Sequence, residues 1–185
     1  MQLQEMASVT VQGITRTVEG LTRFAKLERV LAGVCLLIPA FLIWFDHGTI
    51  RGSISAYYSM EEDQVFYFSL TVAAMLFLVN GVVKEKKVYN TILGVLLAGV
   101  VLFNHRDFPL VHNISAGGFF GGNAVVMVWF SSKQERWFKA LMVVAIALAM
   151  AGCFFFEWFT LFWAEWLSFG IIALHYILES WGVID

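Results

Sequence analysis

The distribution of basic residues around six apolar stretches is the feature that most constrains how this chain folds. Polar gaps separate the stretches, and ten of the twelve Lys and Arg residues lie before the first stretch or in every second gap after it. The two exceptions are Arg51 and Arg106. Loops on the cytosolic side of a membrane retain Lys and Arg, so this alternation predicts a polytopic membrane protein with both termini in the cytosol.

The composition agrees with that class and excludes others. Hydrophobic residues make up 59% of the 185 residues and charged residues 14%, whereas soluble domains have about 25% charged residues. The net charge of −2 gives no indication of a nucleic-acid partner, and membrane lipids are the partners we expect. Cys35 and Cys153 both lie inside apolar stretches, which argues against a disulfide framework or a cysteine metal motif.

The apolar stretches have the length of membrane-spanning helices. The predicted spans are residues 30–46, 65–83, 89–104, 112–130, 139–156 and 161–180. Tryptophans lie at the predicted outer boundary and at the inner one, as in interfacial aromatic belts. These are Trp44, Trp158, Trp163 and Trp166 outside and Trp129, Trp137 and Trp181 inside. We therefore predict an all-α fold, a multi-pass bundle of six transmembrane helices over residues 30–185, in a bacterial inner membrane.

The first 29 residues form a separate, polar segment. Apolar residues recur at helical spacing at Ile14, Val18, Leu21 and Ala25, and the basic residues lie off that stripe. This pattern predicts an N-terminal amphipathic helix lying on the inner leaflet. A helix that binds a protein partner is the alternative.

The fourth predicted span contains a face of small residues. Gly117 and Gly121 form one small-xxx-small pair, and Gly118 and Gly122 form an overlapping one. Such pairs let another helix backbone approach closely. We expect packing within the bundle, with a homo-oligomer through the same four glycines as the alternative. Gly94 and Ala98 in the third span offer a weaker version.

Glu165 is the most informative ionisable residue, because it lies about four residues inside the last span. A carboxylate at that depth needs a partner. We expect an ion pair with Arg51 or Arg106 that stabilises the outer end of the bundle. The alternatives are a proton-linked transport role and a metal site. The metal would be zinc or a similar ion, although no cofactor is expected by default. The candidate metal ligands are His105, Asp107, His112 and Glu165.

The loop from Arg51 to Ser59 is the other unusual segment, since hydroxyl groups alternate along it at the outer interface. They predict a polar pocket facing outward. The pocket candidates are Arg51, Ser53, Ser55, Tyr57, Arg106, Asp107, His112 and Glu165. The chain has no Gly-x-Ser-x-Gly elbow, phosphate-binding glycine loop or His-Glu-x-x-His helix. Deeper in the last span, His175 and Glu179 stand one helical turn apart near the cytosolic end.

Three segments carry a family resemblance. They are Ser53-Ile-Ser-Ala-Tyr-Tyr58, His112-Asn-Ile-Ser-Ala116 followed by Phe119-Phe120, and Phe162-Trp-Ala-Glu165. Together they resemble a group of bacterial six-span membrane proteins of unknown function that is similar to the DRAM-type families. A wider resemblance is to the CREST membrane hydrolases, which use several histidines, an aspartate and a serine. Their last helix has a His-x-x-x-His pair, whereas here His175 has Ile171 and Glu179 at the flanking positions.

Three functions remain open from the sequence. The first is an integral inner-membrane protein with an outward-facing polar pocket that binds lipid or a small solute. The second is a metal-dependent membrane lipid hydrolase that uses the outer carboxylate and histidine residues. The third is an oligomeric membrane effector or pore assembled through the glycine face. The sequence does not decide whether the protein is an enzyme.

Overall fold

The computed structural model describes residues 25–83, 87–130, 133 and 135–184. Within them the fold is all-α, as predicted. The helices are α1 (Ala25–Phe45), α2 (Asp63–Val83), α3 (Val88–Leu102), α4 (Pro109–Val125), α5 (Arg136–Phe154) and α6 (Leu161–Ser180). A π-helical segment, Val126–Phe130, continues α4, and a short 3-10 helix, Ser55–Ser59, lies between α1 and α2.

Four of these helices are long and apolar enough to cross a membrane, namely α1, α2, α5 and α6. The helix α3 is a shorter apolar helix. The helix α4 is continuous, but polar residues interrupt its apolar sequence, among them His112, Asn113 and Asn123. Each predicted span coincides with a helix to within a few residues. Two of these helices differ from an ideal span, α3 because it is short and α4 because it contains polar residues.

The predicted N-terminal segment falls largely outside the described residues, which begin at Ala25. Its last residues belong to α1, the same helix as the first predicted span. Glu28 is only 2% exposed there, because it faces other helices. The boundary predicted between residues 29 and 30 is therefore not a break in the helix.

Helices α2 and α3 approach most closely at two glycines. A Cβ atom added to Gly94 would lie 2.8 Å from the backbone N of Leu78 and 2.9 Å from the backbone O of Ala74. A Cβ atom on Gly81 would lie 2.4 Å from the backbone N of Thr91. Two helix backbones can come this close only where a side chain is missing.

The glycine face of α4 divides into two parts. A Cβ atom on Gly118 would lie 3.1 Å from the Leu96 side chain, and one on Gly122 would lie 2.8 Å from the Leu93 side chain, so this pair packs against α3. Gly117 and Gly121 have nothing within 4 Å of an added Cβ atom among the described residues. Packing within the bundle, which we expected of all four glycines, is thus wrong for Gly117 and Gly121, which face open space.

Aromatic rings fill the centre of the bundle. The ring of Phe77 on α2 meets Phe119 of α4 at 5.3 Å and Tyr176 of α6 at 5.7 Å, in edge-to-face geometry. Phe169 of α6 closes the cluster at 5.7 Å from Phe119. Such pairs add about 0.5–1.5 kcal/mol each beyond the burial of their area. They hold α2, α4 and α6 around one axis.

The two glycine environments lead to opposite expectations for the same kind of change. Gly94→Ala should destabilise the protein by about 1–3 kcal/mol, because the new methyl group collides with rigid backbone atoms of α2. Gly117→Ala adds the same methyl group in open space and should leave stability unchanged or slightly raised. Thermal unfolding of the purified protein in detergent measures both. Equal melting temperatures for the two variants would contradict the packing described above.

Candidate functional site

The loop after α1 is held in one conformation by an arginine. Arg51 binds Asp46 through two contacts, Nε to Oδ2 at 2.6 Å and Nη2 to Oδ1 at 3.0 Å. Its Nη1 donates to Oγ of Ser59 at 2.8 Å, and its guanidinium lies 5.7 Å from the centroid of the Tyr57 ring. The hydrogen bond from Arg51 lowers the pKa of Asp46 below its ordinary value. This bidentate pair fixes the loop above the ends of the helices.

The same loop is fastened to the start of α6 by its backbone. The N–H of Ile54 donates to Oε2 of Glu165 at 2.6 Å, and the N–H of Phe162 donates to the carbonyl of Gly52 at 2.8 Å. Glu165 is only 7% exposed. The predicted ion pair between Glu165 and Arg51 is therefore wrong, since Arg51 is committed to Asp46 and a backbone amide binds the carboxylate instead.

A small cavity lies beneath this loop, and we call it the polar cavity after the three polar side chains in its mainly apolar lining. Ser55, His112 and Glu165 line it, and rings of Phe119, Phe120 and Phe169 form part of its wall. Its volume is about 20 Å³. A cavity of about 10–15 Å³ already accommodates one water molecule. Three of the predicted pocket residues, from a loop, α4 and α6, thus meet at one site of single-water size.

The orientation of His112 determines what its ring offers to the cavity. Its Nδ1 lies 2.8 Å from the carbonyl oxygen of Phe103. A carbonyl only accepts hydrogen bonds, so Nδ1 carries a proton, and in a neutral imidazole Nε2 is then the acceptor. The neighbouring His105 contacts the same ring edge-to-face, with centroids 6.1 Å apart. His112 can therefore act as a hydrogen-bond acceptor through Nε2.

A larger apolar groove adjoins the polar cavity. It runs between α4 and α5 to the start of α6 and has a volume of about 540 Å³. Gly117 and Gly121 form its floor, and Asn113 and Glu165 are the polar residues in its lining. Ala116, Phe120 and Glu165 line both spaces. The carboxylate of Glu165 therefore stands where the apolar groove meets the polar cavity.

Other predicted pocket residues have local structural roles. The Ser53 and Ser55 hydroxyls lie 3.1 Å apart and bond to each other. The Tyr57 hydroxyl donates to the carbonyl of Thr49 at 2.7 Å. Oδ2 of Asp107 accepts from Asn104 at 2.8 Å in the turn before α4. Neither Asp107 nor the Arg106 beside it lines the cavity or the groove.

The predicted metal ligands are divided among these features. His112 and Glu165 share the cavity, whereas Asp107 bonds to Asn104. Across the described part of the chain, the group of three residues whose donor atoms lie within 4.8 Å of one another is a different one, His47, Glu61 and Glu62. Those three residues lie at the two ends of the outer loop, so no local spacing could have indicated them.

A second polar cluster at the opposite end of the bundle was missed by sequence reasoning. Nζ of Lys87, just before α3, donates to Oε1 of Glu28 on α1 at 2.8 Å and to Oε1 of Glu179 on α6. Burial alone would lower the pKa of Lys87, but the two carboxylates outweigh that effect and raise it. Nearby, Asn90 donates to Asn80 at 2.6 Å and accepts from the Tyr176 hydroxyl at 2.9 Å.

This inner cluster should be a major contributor to stability. Lys87→Met removes the cation that is bonded to two buried carboxylates, so we expect a loss of about 3–5 kcal/mol. Lys133→Met, which removes an exposed lysine at the same end, is the matched control and should change little. Denaturation in mixed micelles compares them. A wild-type midpoint in Lys87→Met would mean that the cluster adds nothing to the fold.

Comparison with known proteins finds one family model that matches most of the chain. Residues 37–180 match the family model described as DUF7103, a family of unknown function. The chain belongs to the DUF7103 family. No curated protein and no solved structure matches it. The DUF7103 match covers α2 to α6 and the second part of α1, and therefore includes the outer loop, the polar cavity and the groove. Nothing links the chain to the DRAM-type or CREST families, so those resemblances remain predictions.

Proposed function

We propose that this DUF7103 protein is an integral membrane protein that binds an amphiphile, with one acyl chain in the α4–α5 groove and the head at the polar cavity. The observation that carries the proposal is the junction at Glu165, which lines both spaces. An apolar groove with a buried carboxyl group in its lining matches a lipid, which has an apolar chain and a polar head.

The depth of the groove suits one leaflet of a bilayer. Its lining on α4 runs from Asn113 to Ala124, which is about 17 Å along a helix. The hydrocarbon core of a bilayer is about 30 Å thick, so a leaflet is about half of that. Gly117 and Gly121 on the floor leave room for a chain where any larger residue would fill the groove.

The proposal includes six spans with both termini in the cytosol. The π-helical segment after Val125 lengthens α4, and α3 is short enough to require local thinning of the bilayer. Lys87 and Lys133 then lie inside, whereas Arg51 and Arg106 lie outside. Exposed aromatic residues support the outer boundary, since Trp44 is 80% and Trp158 72% exposed. A bacterial inner membrane remains a prediction from the sequence.

The alternatives from the sequence have weaker support. A hydrolase would need an activated nucleophile or a bound metal, and the Ser55 hydroxyl is bonded to Ser53, not to a base. A pore would need a polar path, but aromatic rings occupy the bundle axis among the described residues. Each alternative has an outcome of its own in the tests below.

The topology can be tested by labelling single cysteines in intact cells. A membrane-impermeant thiol reagent should label a cysteine at Glu61 in the outer loop and leave one at Lys133 unlabelled, because the proposed topology places them on opposite sides. Both positions are exposed, so accessibility within the protein does not distinguish them. Labelling at Lys133 but not at Glu61 would invert the topology and move the polar cavity to the cytosolic side.

The groove can be tested by filling it. Gly117→Phe and Gly121→Phe place a ring in open space and should each lower the amount of co-purifying lipid by about tenfold or more, without loss of stability. Native mass spectrometry counts the bound molecules. The matched control is Val72→Trp in the α1–α2 groove, which has a similar volume of about 580 Å³ and is lined almost wholly by apolar side chains.

Three results would contradict the proposed groove. Equal lipid loading in wild type and both glycine variants would show that lipid does not occupy it. A change from dimer to monomer in those variants would assign the glycine face to a second copy of the chain. Stoichiometric zinc in the wild-type protein, lost on substitution of His112, would favour the hydrolase.

A further inference from the structure

The polar cavity offers hydrogen-bond acceptors to whatever enters it. Nδ1–H of His112 donates to the Phe103 carbonyl, so Nε2 is the acceptor of the ring in its neutral form. Oε2 of Glu165 already accepts from the N–H of Ile54, and Oε1 accepts from no donor among the described residues. Ser55 contributes a hydroxyl that can also accept. A ligand that fits must therefore bring donors.

The electrostatics of the cavity favour a positive charge. Glu165 is the acidic residue in its lining, and the lining contains no Lys or Arg. Arg51, the nearest basic residue in the outer loop, is committed to Asp46 and Ser59. Phe119, Phe120 and Phe169 form part of the wall and bring no charge to it.

The size of the cavity limits the cation. About 20 Å³ is enough for one water-sized group and too little for a bulky one. A primary ammonium group has that size and three donors, whereas a trimethylammonium group is larger and has none. Ala116, Phe120 and Glu165 line both the cavity and the apolar groove, so a cation attached to an apolar chain would place its two parts in these two adjoining spaces.

We infer that the amphiphile bound by this protein has a primary ammonium head, which occupies the cavity of Ser55, His112 and Glu165. The inference rests on the proposed function and adds the chemistry of the head. The ammonium donates to the carboxylate of Glu165 and to Nε2 of His112, while the acyl chain lies along Gly117 and Gly121. Because both parts are bound, the occupant is a membrane amphiphile and not a free amine.

The experiment compares probes that share one chain and differ in the head. Dodecylamine, dodecyltrimethylammonium, dodecanol and dodecanoate are titrated against the protein in uncharged detergent at neutral pH, and apparent affinity is read from thermal shifts and native mass spectrometry. The two cationic probes control for partition into the micelle. Ethylamine, which has the head but no chain, tests whether the amine alone is enough.

The wild-type protein should bind dodecylamine at least about tenfold more tightly than the other three long-chain probes, as expected for a buried charge-assisted hydrogen bond. Ethylamine should not bind measurably. Glu165→Gln should reduce the preference for dodecylamine over dodecanol to about threefold or less, while dodecanol binding stays unchanged. Glu157→Gln removes an exposed carboxylate from the loop between α5 and α6 and should keep the full preference.

The outcomes separate the two claims. Dodecanol or dodecanoate bound as tightly as dodecylamine, with binding lost in Gly117→Phe, overturns the ammonium head and keeps the groove. No binding of any probe, or binding unaffected by Gly117→Phe, overturns both. Tight binding of ethylamine overturns the choice of an amphiphile. The wild-type preference among probes decides the inference even where Glu165→Gln fails to fold.

Discussion

The buried carboxyl groups at the two ends of this bundle bond to donors from the protein, and the rest of the structure depends on these contacts. An unpaired charge in an apolar interior costs several kcal/mol, so each buried carboxylate requires a donor. At the outer end, the N–H of Ile54 binds Glu165. At the inner end, Lys87 binds Glu28 and Glu179. Glu165 and Glu179 both belong to α6, so a polar contact holds this helix to its neighbours at each end.

The position of α6 explains where the open groove lies. Of the four long apolar helices, α6 is the most buried, since 56% of its most apolar 18-residue stretch lies inside the protein. The corresponding share for α5 is the lowest, at 28%. A peripheral α5 opposite a glycine face leaves space between α4 and α5. Side chains as small as those of Gly117 and Gly121 cannot fill it, whereas Gly118 and Gly122, one position further, pack against α3. The groove is thus a consequence of which glycines face which neighbour.

The outer loop gives the site its chemistry, and its conformation comes from a pair that sequence reasoning assigned differently. Arg51 was expected to neutralise Glu165, because both are ionisable and lie near the same predicted membrane surface. The structure pairs it with Asp46, five residues away, and this turn presents the Ile54 amide to Glu165. The carboxyl group is therefore bound by a neutral backbone donor and not by the cation that was expected.

The sequence by itself determined the all-α class and the location of six helices, because apolar length is a local property of the chain. It also placed Ser55, His112 and Glu165 among the pocket candidates, and these three residues line one cavity. It did not determine partners. Lys87, Glu28 and Glu179 are separated by 59 and 92 residues, so only the folded bundle brings them together. The choice between packed and open glycines was likewise decided by tertiary structure, since adjacent glycines on a helix point about 100° apart and meet different neighbours.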